Sequence, residues 1–386
     1  MRRICWMSTG TRIRGPDGQK HRPGTGMVFD RERRSGGKPG LAKCIYSPPM
    51  SQTVSTPYLW TPQQGPDRAA LDRMARAFPK PATPMGEAWF MGDMRRMYPQ
   101  LRGDLDALPD DDIERAFVEI ATGSSSFGPF EEWIAWFHYL LPRLVEREWK
   151  PTYYQPAEVL ITAFMAQHPA SDGSLPYPGF RNDALVTLGR YIMSPRFWPD
   201  GELDVANCLS KVTWPSGIVG WFKAGNLLSA SLFFCTKYLA RSDVETWFRS
   251  VIAIPNRYWQ VQIMTWLVGA HPILTGEIGQ PSDFSEDASF SIEWDWSHIL
   301  DGHYSGSYGP PLHLIPFLPA ENRETIVQIA RGMEVEEFLE DVWTDAEMSA
   351  VASEAVGMPE RFLQLYRTDR PAGDVSETVS ISGEGR

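Results

Sequence analysis

The chain has 386 residues, 42% of them hydrophobic and 22% charged, a composition typical of a folded protein that can bury a sizeable core. Its net charge is −11, and residues 1–49 contribute +8 from eleven Lys and Arg against three acids, which leaves −19 for the rest. An acidic body argues against general binding of nucleic acid, whose phosphates need cationic side chains, and favours a basic protein partner.

The four cysteines, Cys5, Cys44, Cys208 and Cys235, lack the CxxC spacing of metal or redox sites. We therefore expect no disulfide framework and interpret Cys208 and Cys235 as small buried hydrophobes. Because disulfides are rare in reducing compartments, this usage favours a cytoplasmic location.

Residues 1–49 are rich in Gly, Arg and Pro and show no hydrophobic periodicity, so we expect this basic leader to be disordered. It contains no apolar run long enough for a secretory signal. Two alternatives remain: a basic arm that contacts nucleic acid or a membrane, or an upstream extension of a protein that starts at Met50. We favour the second, because residues 50–66 form an ordinary polar lead-in, and the intact mass of the purified protein would decide.

Helical signals begin at residue 67 and continue to residue 367, which we expect to form one all-helical domain. Asp67 should cap a first helix and Asp110–Asp112 should open a second, since short polar and acidic side chains stabilise helix N-termini. A strongly apolar helix follows Pro129, and its His138 is expected to be a packed histidine, not a catalytic one. Further helices are predicted near residues 157–167, 182–193, 204–212, 218–240, 242–252, 258–268, 326–330, 335–342, 344 onward and 359–366.

The most apolar stretch, Ile218 to Ala240, approaches membrane-spanning length but contains Lys223 and Asn226. A charge inside a lipid-facing helix costs about 2.5 to 3.5 kcal/mol on insertion scales. We therefore expect a buried helix and no membrane partner. Ser242 and Glu245 fit the spacing of a capping box for the next helix.

Residues 275–319, which we call the acidic segment, contain seven acids and three histidines but no Lys or Arg. A segment of this length between helices is usually functional or disordered. Its aromatic residues favour an ordered insertion packed on the body, whereas the tail at residues 368–386 is expected to be disordered. With little strand-like alternation, the fold class is mainly α, about a dozen helices in an irregular helical repeat or a compact multi-helix array.

Within the acidic segment, the sequence SIEWDWSHILDGH at Ser291–His303 concentrates carboxylates, imidazoles and tryptophans. As an α-helix it would place Trp296 on the core face, beside Ile292 and Ile299. The opposite, exposed face would carry Glu293, Trp294, Asp295, His298 and Asp301.

Three interpretations of this exposed face compete. It can be an ordinary solvated helix face, or a docking surface in which Trp294 anchors a basic partner amid acidic charge. It can also be a metal site of a hydrolase, with the ligands Asp295, His298, Asp301 and His303 and with Glu293 as base, although this spacing is far less specific than a known metal motif.

The chain has no phosphate-binding glycine loop, no HExxH and no kinase motif set, so we expect no cofactor and lean away from an enzyme. We predict a non-catalytic helical interaction or scaffold protein that presents the Glu293, Trp294, Asp295, His298 and Asp301 surface to a basic protein, for example in a toxin-neutralising immunity role. The alternative function is the metal-dependent hydrolase.

Overall fold

The structure is a computed structural model that describes residues 56–82, 98–123, 130–149, 156–170, 175–205, 212–213, 219–220, 223–284, 291–300, 316–339 and 357–367. The chain divides into two units, Met1–Val54 and Ser55–Arg386. All described residues belong to the second unit, and the basic leader and the tail lie outside them.

Helices dominate this unit, as the sequence predicted. The α-helices are α1 (Arg68–Ala77), α2 (Asp110–Gly123), α3 (Phe130–Glu146), α4 (Pro156–Gln167), α5 (Phe180–Thr187), α6 (Asn226–Tyr238), α7 (Arg241–Ile252), α8 (Arg257–Thr275), α9 (Ala320–Arg331), α10 (Val335–Phe338) and α11 (Gly357–Arg367). Short 3-10 helices cover Pro99–Arg102, Leu188–Met193, Pro199–Gly201, Pro281–Asp283 and Ser297–Leu300.

Four strands of two residues each complete the described elements. Strand β1 (Val212–Thr213) pairs antiparallel with β2 (Val219–Gly220). Strand β3 (Lys223–Ala224) pairs parallel with β4 (Ser291–Ile292), in the register Lys223 to Ser291 and Ala224 to Ile292. The β3–β4 pair matters most, because it joins the acidic segment to the residues that precede α6.

Helix starts follow local chemistry where a short polar side chain is available. Asp67 accepts a hydrogen bond from the Ala70 N–H at 2.7 Å and caps α1 as predicted. Asn256 caps α8 in the same way, accepting from Tyr258 and Trp259. The predicted capping box at Ser242 is wrong: α7 begins one residue earlier, at Arg241, and its N-cap Ala240 has no side-chain hydrogen bond.

The apolar stretch from Ile218 is only partly helical. Residues 219–220 and 223–224 are strands, and α6 begins at Asn226, after which every residue of the helix is buried. The predicted buried helix is therefore correct from Asn226, and the predicted start at Ile218 is wrong, because β2 and β3 take up the backbone there. None of the helices in the part of the chain that the structure describes combines the length and hydropathy needed to cross a membrane.

Some titratable side chains buried in this core are kept in their neutral form. Cys235 is a free, fully buried thiol, as expected, and burial raises its pKa to about 12. His138 on α3 is also buried, as expected, and its Nε2 lies 3.0 Å from Nε2 of His168, which follows α4. Burial lowers the pKa of both imidazoles, to about 3 and about 4, so the pair is neutral and structural.

One connected set of buried side chains extends from Tyr58 to Tyr366. It includes Trp60, which is 2% exposed and lies edge-on to Trp247 of α7 and Trp259 of α8. Residues 56–66, which the sequence suggested to be a polar lead-in, therefore contribute to the core. The choice between helical repeat and multi-helix array stays a prediction.

Candidate functional site

The part of the acidic segment at residues 291–300 is not the α-helix that the sequence predicted. Its first residues form β4, the backbone N–H of Glu293 donates to the Ala224 carbonyl at 3.0 Å, and only Ser297–Leu300 forms a 3-10 helix. The backbone of β4 bonds to another strand, so the hydrogen bonds that an α-helix would need are already used. Asp301 and His303 lie outside the described residues.

A different periodicity in the same residues indicates the strand that the structure shows. In Ser291–Trp296 the residues Ile292, Trp294 and Trp296 alternate with Ser, Glu and Asp. Alternation with period two is typical of a strand that has one face on the core. The helical prediction did not use this alternation, because Ile292, Trp296 and Ile299 also fit the i, i+4, i+7 spacing of an amphipathic helix.

The two tryptophans have the opposite burial from the one predicted for a helix. Trp294 is 6% exposed, and its ring stacks on Phe233 of α6 with centroids 5.2 Å apart and planes 10° apart. Its indole Nε1 donates to the Thr162 hydroxyl of α4 at 2.9 Å. Trp296 is only partly buried, and its ring lies beside the imidazole of His298 at 5.6 Å. Trp294 is thus an internal anchor, and its predicted place on an exposed surface is wrong.

Polar side chains of helix α4 form hydrogen bonds with the turn that follows β4. Glu158 is fully buried, and its Oε1 accepts the Trp296 backbone N–H at 3.3 Å. The Thr162 hydroxyl donates to the Glu158 backbone carbonyl at 2.7 Å, so it links this turn of α4 to the indole of Trp294. The second carboxyl oxygen of Glu158, Oε2, makes no hydrogen bond to any residue that the structure describes.

The buried carboxyl of Glu158 faces other acids. Its pKa is raised to about 8, mainly by burial and in smaller part by the negative charges of Asp295 and Glu293, against backbone N–H groups that lower it. At neutral pH this group is therefore mostly protonated. The acidic edge formed by Glu293 and Asp295 thus has a neutral carboxylic acid beneath it.

Asn226, the first residue of α6, holds Asp295 in place. Its Nδ2 donates to Asp295 Oδ2 at 3.3 Å, and its Oδ1 accepts from the Asp295 backbone N–H, also at 3.3 Å. Asp295 remains exposed. His298 is exposed too, and its Nδ1 donates to the Asp295 carbonyl at 3.0 Å.

The far end of the acidic segment is also attached to α6. Lys237 is 3% exposed, and its ammonium group donates to the Phe317 carbonyl at 2.6 Å. Burial lowers the pKa of this amine to about 7. Phe317 and Phe284 both pack against Phe233, so the described aromatic residues hold the segment to the body, as their number in the sequence predicted.

Of the predicted site residues, the structure brings Glu293, Asp295 and His298 to one edge and places Trp294 beneath it. Sequence reasoning missed Glu158, Thr162 and Asn226. Glu158 had a visible signal, because it is the only charged residue in the apolar helix PAEVLITAFMAQ.

The described residues contain no group of three or more His, Cys, Asp or Glu side chains arranged to hold a metal ion. In addition, the predicted metal ligand Asp295 uses its carboxylate on Asn226. Two of the four predicted ligands, Asp301 and His303, lie outside the described residues, so the metal-dependent hydrolase stays a prediction. Comparison with known proteins finds no matching family, no similar curated protein and no similar solved structure.

Proposed function

We propose that the protein is a non-catalytic interaction protein that binds a basic protein partner through the acidic edge formed by Glu293, Asp295 and His298. The observation that carries this proposal is the position of Asp295, which is exposed to solvent and makes two hydrogen bonds with Asn226, one donated and one accepted. Asp301, which the sequence assigns to the same surface, lies outside the described residues. A neutralising role toward a basic toxin fits this chemistry, as does a scaffold role.

Electrostatics supports a cationic partner. Burial is the main cause of the raised pKa of Glu158, and the charges of Asp295 and Glu293 add to it. The edge therefore has a negative potential, which a Lys or Arg side chain would offset. The acidic segment supplies no cation itself, because residues 275–319 contain neither Lys nor Arg. The structure shows no ion pair between Asp295 and a described Lys or Arg.

Rigidity also supports a binding role. The Glu293–Trp296 turn is held by strand pairing, by the indole of Trp294 and by the carboxyl of Glu158. Because the exposed carboxylate of Asp295 is already ordered, an incoming partner would lose less conformational entropy than on a mobile loop. A free buried thiol at Cys235 is consistent with a reducing, cytoplasmic setting for this interaction.

Affinity capture with a matched charge control tests the proposal. The variant Glu293→Gln with Asp295→Asn removes two negative charges at the edge and keeps an oxygen that can accept from Asn226. The control Asp243→Asn with Glu245→Gln removes two charges on α7. We expect the wild type and the control to retain the same basic protein, released by about 0.5 M salt, and the edge variant to lose it. Equal retention by all three proteins would contradict the assignment.

A further inference from the structure

A cleft of about 650 Å³ lies between α8, α9 and α11. The three helices pack against one another, so the walls are part of the folded body. A volume of this size falls in the range of small-molecule sites. The cleft does not involve the acidic edge.

The lining of this cleft differs in charge from the rest of the protein. Arg323 and Arg331 come from α9 and Arg361 from α11, against two carboxylates, Glu277 and Glu324. The cleft is thus net positive in a chain of net charge −11. A net positive concave surface favours an anionic ligand, and the arginine guanidinium is well shaped to bind one.

His271 of α8 lines the same cleft, and its side chain is 12% exposed. Burial is the main cause that lowers its pKa. Glu277 at 3.9 Å and a hydrogen bond with the Leu365 backbone oppose this, and the positive charges of Arg361 and Arg331 lower the pKa further. Both guanidinium groups therefore add to the positive potential at this imidazole.

The guanidinium group of Arg323 lies close to Gly276 at the end of α8. This glycine has φ 85°, and a Cβ built on it would lie 2.0 Å from the Arg323 Nη1. The left-handed backbone favours glycine here. The structure shows no ion pair between Arg323 and a described carboxylate, and the only hydrogen bond it gives for the Arg361 side chain is to Gln364 Oε1, at 2.7 Å.

We propose that this cleft binds a small molecule bearing a phosphate group, with Arg323, Arg331 and Arg361 around the phosphate and His271 beside it. Guanidinium groups match phosphate oxygens with paired N–H donors, which is why arginine is frequent at such sites. Glu277 and Glu324 are placed to accept hydrogen bonds from hydroxyl or amino groups on the rest of the molecule, and they disfavour long polyanions.

Titration of the full chain with inorganic phosphate tests this site, with ionic strength held constant by chloride and the His271 ring signals followed by NMR. We expect saturable binding that raises the pKa of His271, because an anion offsets the fields of Arg331 and Arg361. Arg323→Gln with Arg361→Gln should weaken binding at least about tenfold. The control Arg241→Gln with Arg249→Gln, on α7 outside the cleft, should not.

Arg361→Lys keeps the charge but loses the paired donors, and its side chain is exposed, so it serves if the double variant fails to fold. We expect it to weaken phosphate binding several-fold. The site would be refuted by wild-type protein that shows no saturation, or by cleft variants that bind phosphate as tightly as the α7 control. Neither result depends on the acidic edge, so this test and the capture experiment can fail independently.

Discussion

Trp294 and Trp296 are two residues apart, yet the structure gives them different tasks. Trp294 is buried against Phe233 and bonded to Thr162, whereas Trp296 is partly buried and contributes its backbone N–H to Glu158. The first indole stabilises the fold, and the second lies beside the acidic edge.

We therefore expect Trp294→Ala to lower the free energy of unfolding by about 3–5 kcal/mol, the usual cost of emptying a large buried site. Trp296→Ala should cost about 1 kcal/mol, since less surface leaves the core. Trp294→Phe is a matched intermediate: it preserves the stack on Phe233 and loses the hydrogen bond to Thr162, which is worth about 1 kcal/mol. Urea unfolding of the three variants measures these values. A larger loss for Trp296→Ala than for Trp294→Ala would instead support the predicted α-helix, in which Trp296 faces the core.

At the scale of elements, the acidic segment depends on α4 and α6 more than on its own backbone. Its two-residue strand is too short to be stable alone. Glu158 and Thr162 on α4 and Asn226 on α6 supply the side-chain partners that fix the turn after it. Because the buried carboxyl of Glu158 takes part in these contacts, the packing of this turn on α4 is sensitive to pH.

The pH dependence has a defined sign. The carboxyl of Glu158 has a pKa of about 8 in the folded protein against 4.5 as its reference value. Between these pH values the folded state holds a proton that the unfolded state has released, so the stability contributed by this group is complete below pH 4.5 and is lost as pH rises to 8. The loss is at most about 1.4 kcal/mol per pH unit.

Glu158→Gln tests this expectation, because glutamine has the same shape and does not titrate. The difference in unfolding free energy between wild type and variant should change in favour of the variant as pH rises through this window, as measured by urea unfolding at each pH. Taking the difference cancels the contribution of other groups that titrate in the same pH range, such as Lys237 with its pKa of about 7. A difference that stays constant with pH would show that Glu158 is ionised in the folded protein.

Element prediction from the sequence succeeded where one local signal dominated. The helix-start residues and apolar spacing of α1 and α2 were sufficient, because Asp67 caps α1 and the acids at Asp110–Asp112 lie in the first turn of α2. It failed at Ser291–Trp296, where two periodicities fit the same residues and pairing with Lys223–Ala224, far away in the chain, decided the outcome. Propensity cannot report such a partner.

The same limit applies to the candidate site. The exposed residues Asp295 and His298 could be selected from composition, since carboxylates and imidazoles cluster there. Their support could not, because Asn226 and Glu158 are separated from them by about 70 and 140 positions in the sequence and meet them only through helix packing.

At the scale of the whole molecule, the folded unit begins earlier than helical periodicity suggested. The Tyr58 hydroxyl donates to the Leu185 carbonyl at 2.8 Å, and the backbone N–H of Trp60 donates to the Ser250 hydroxyl at 2.9 Å. Residues before α1 therefore connect α5 with α7 and α8. Periodicity could not predict these contacts, because two aromatic residues among polar ones show no helical or strand repeat.

Truncation tests whether these contacts close the core. A chain that starts at Ser55 retains Tyr58 and Trp60 and is expected to unfold cooperatively with the same free energy as the full chain, since the folded unit spans Ser55–Arg386. A chain that starts at Gln63 lacks both side chains and exposes Trp247 and Trp259, so it should lose at least about 3–5 kcal/mol, the cost of removing one buried Trp. Thermal and urea unfolding of the two proteins provide the comparison. Trp60→Ala in the full chain should reproduce most of the loss, because its ring lies between those two indoles; equal stability of all the proteins would mean that the core closes without residues 55–62.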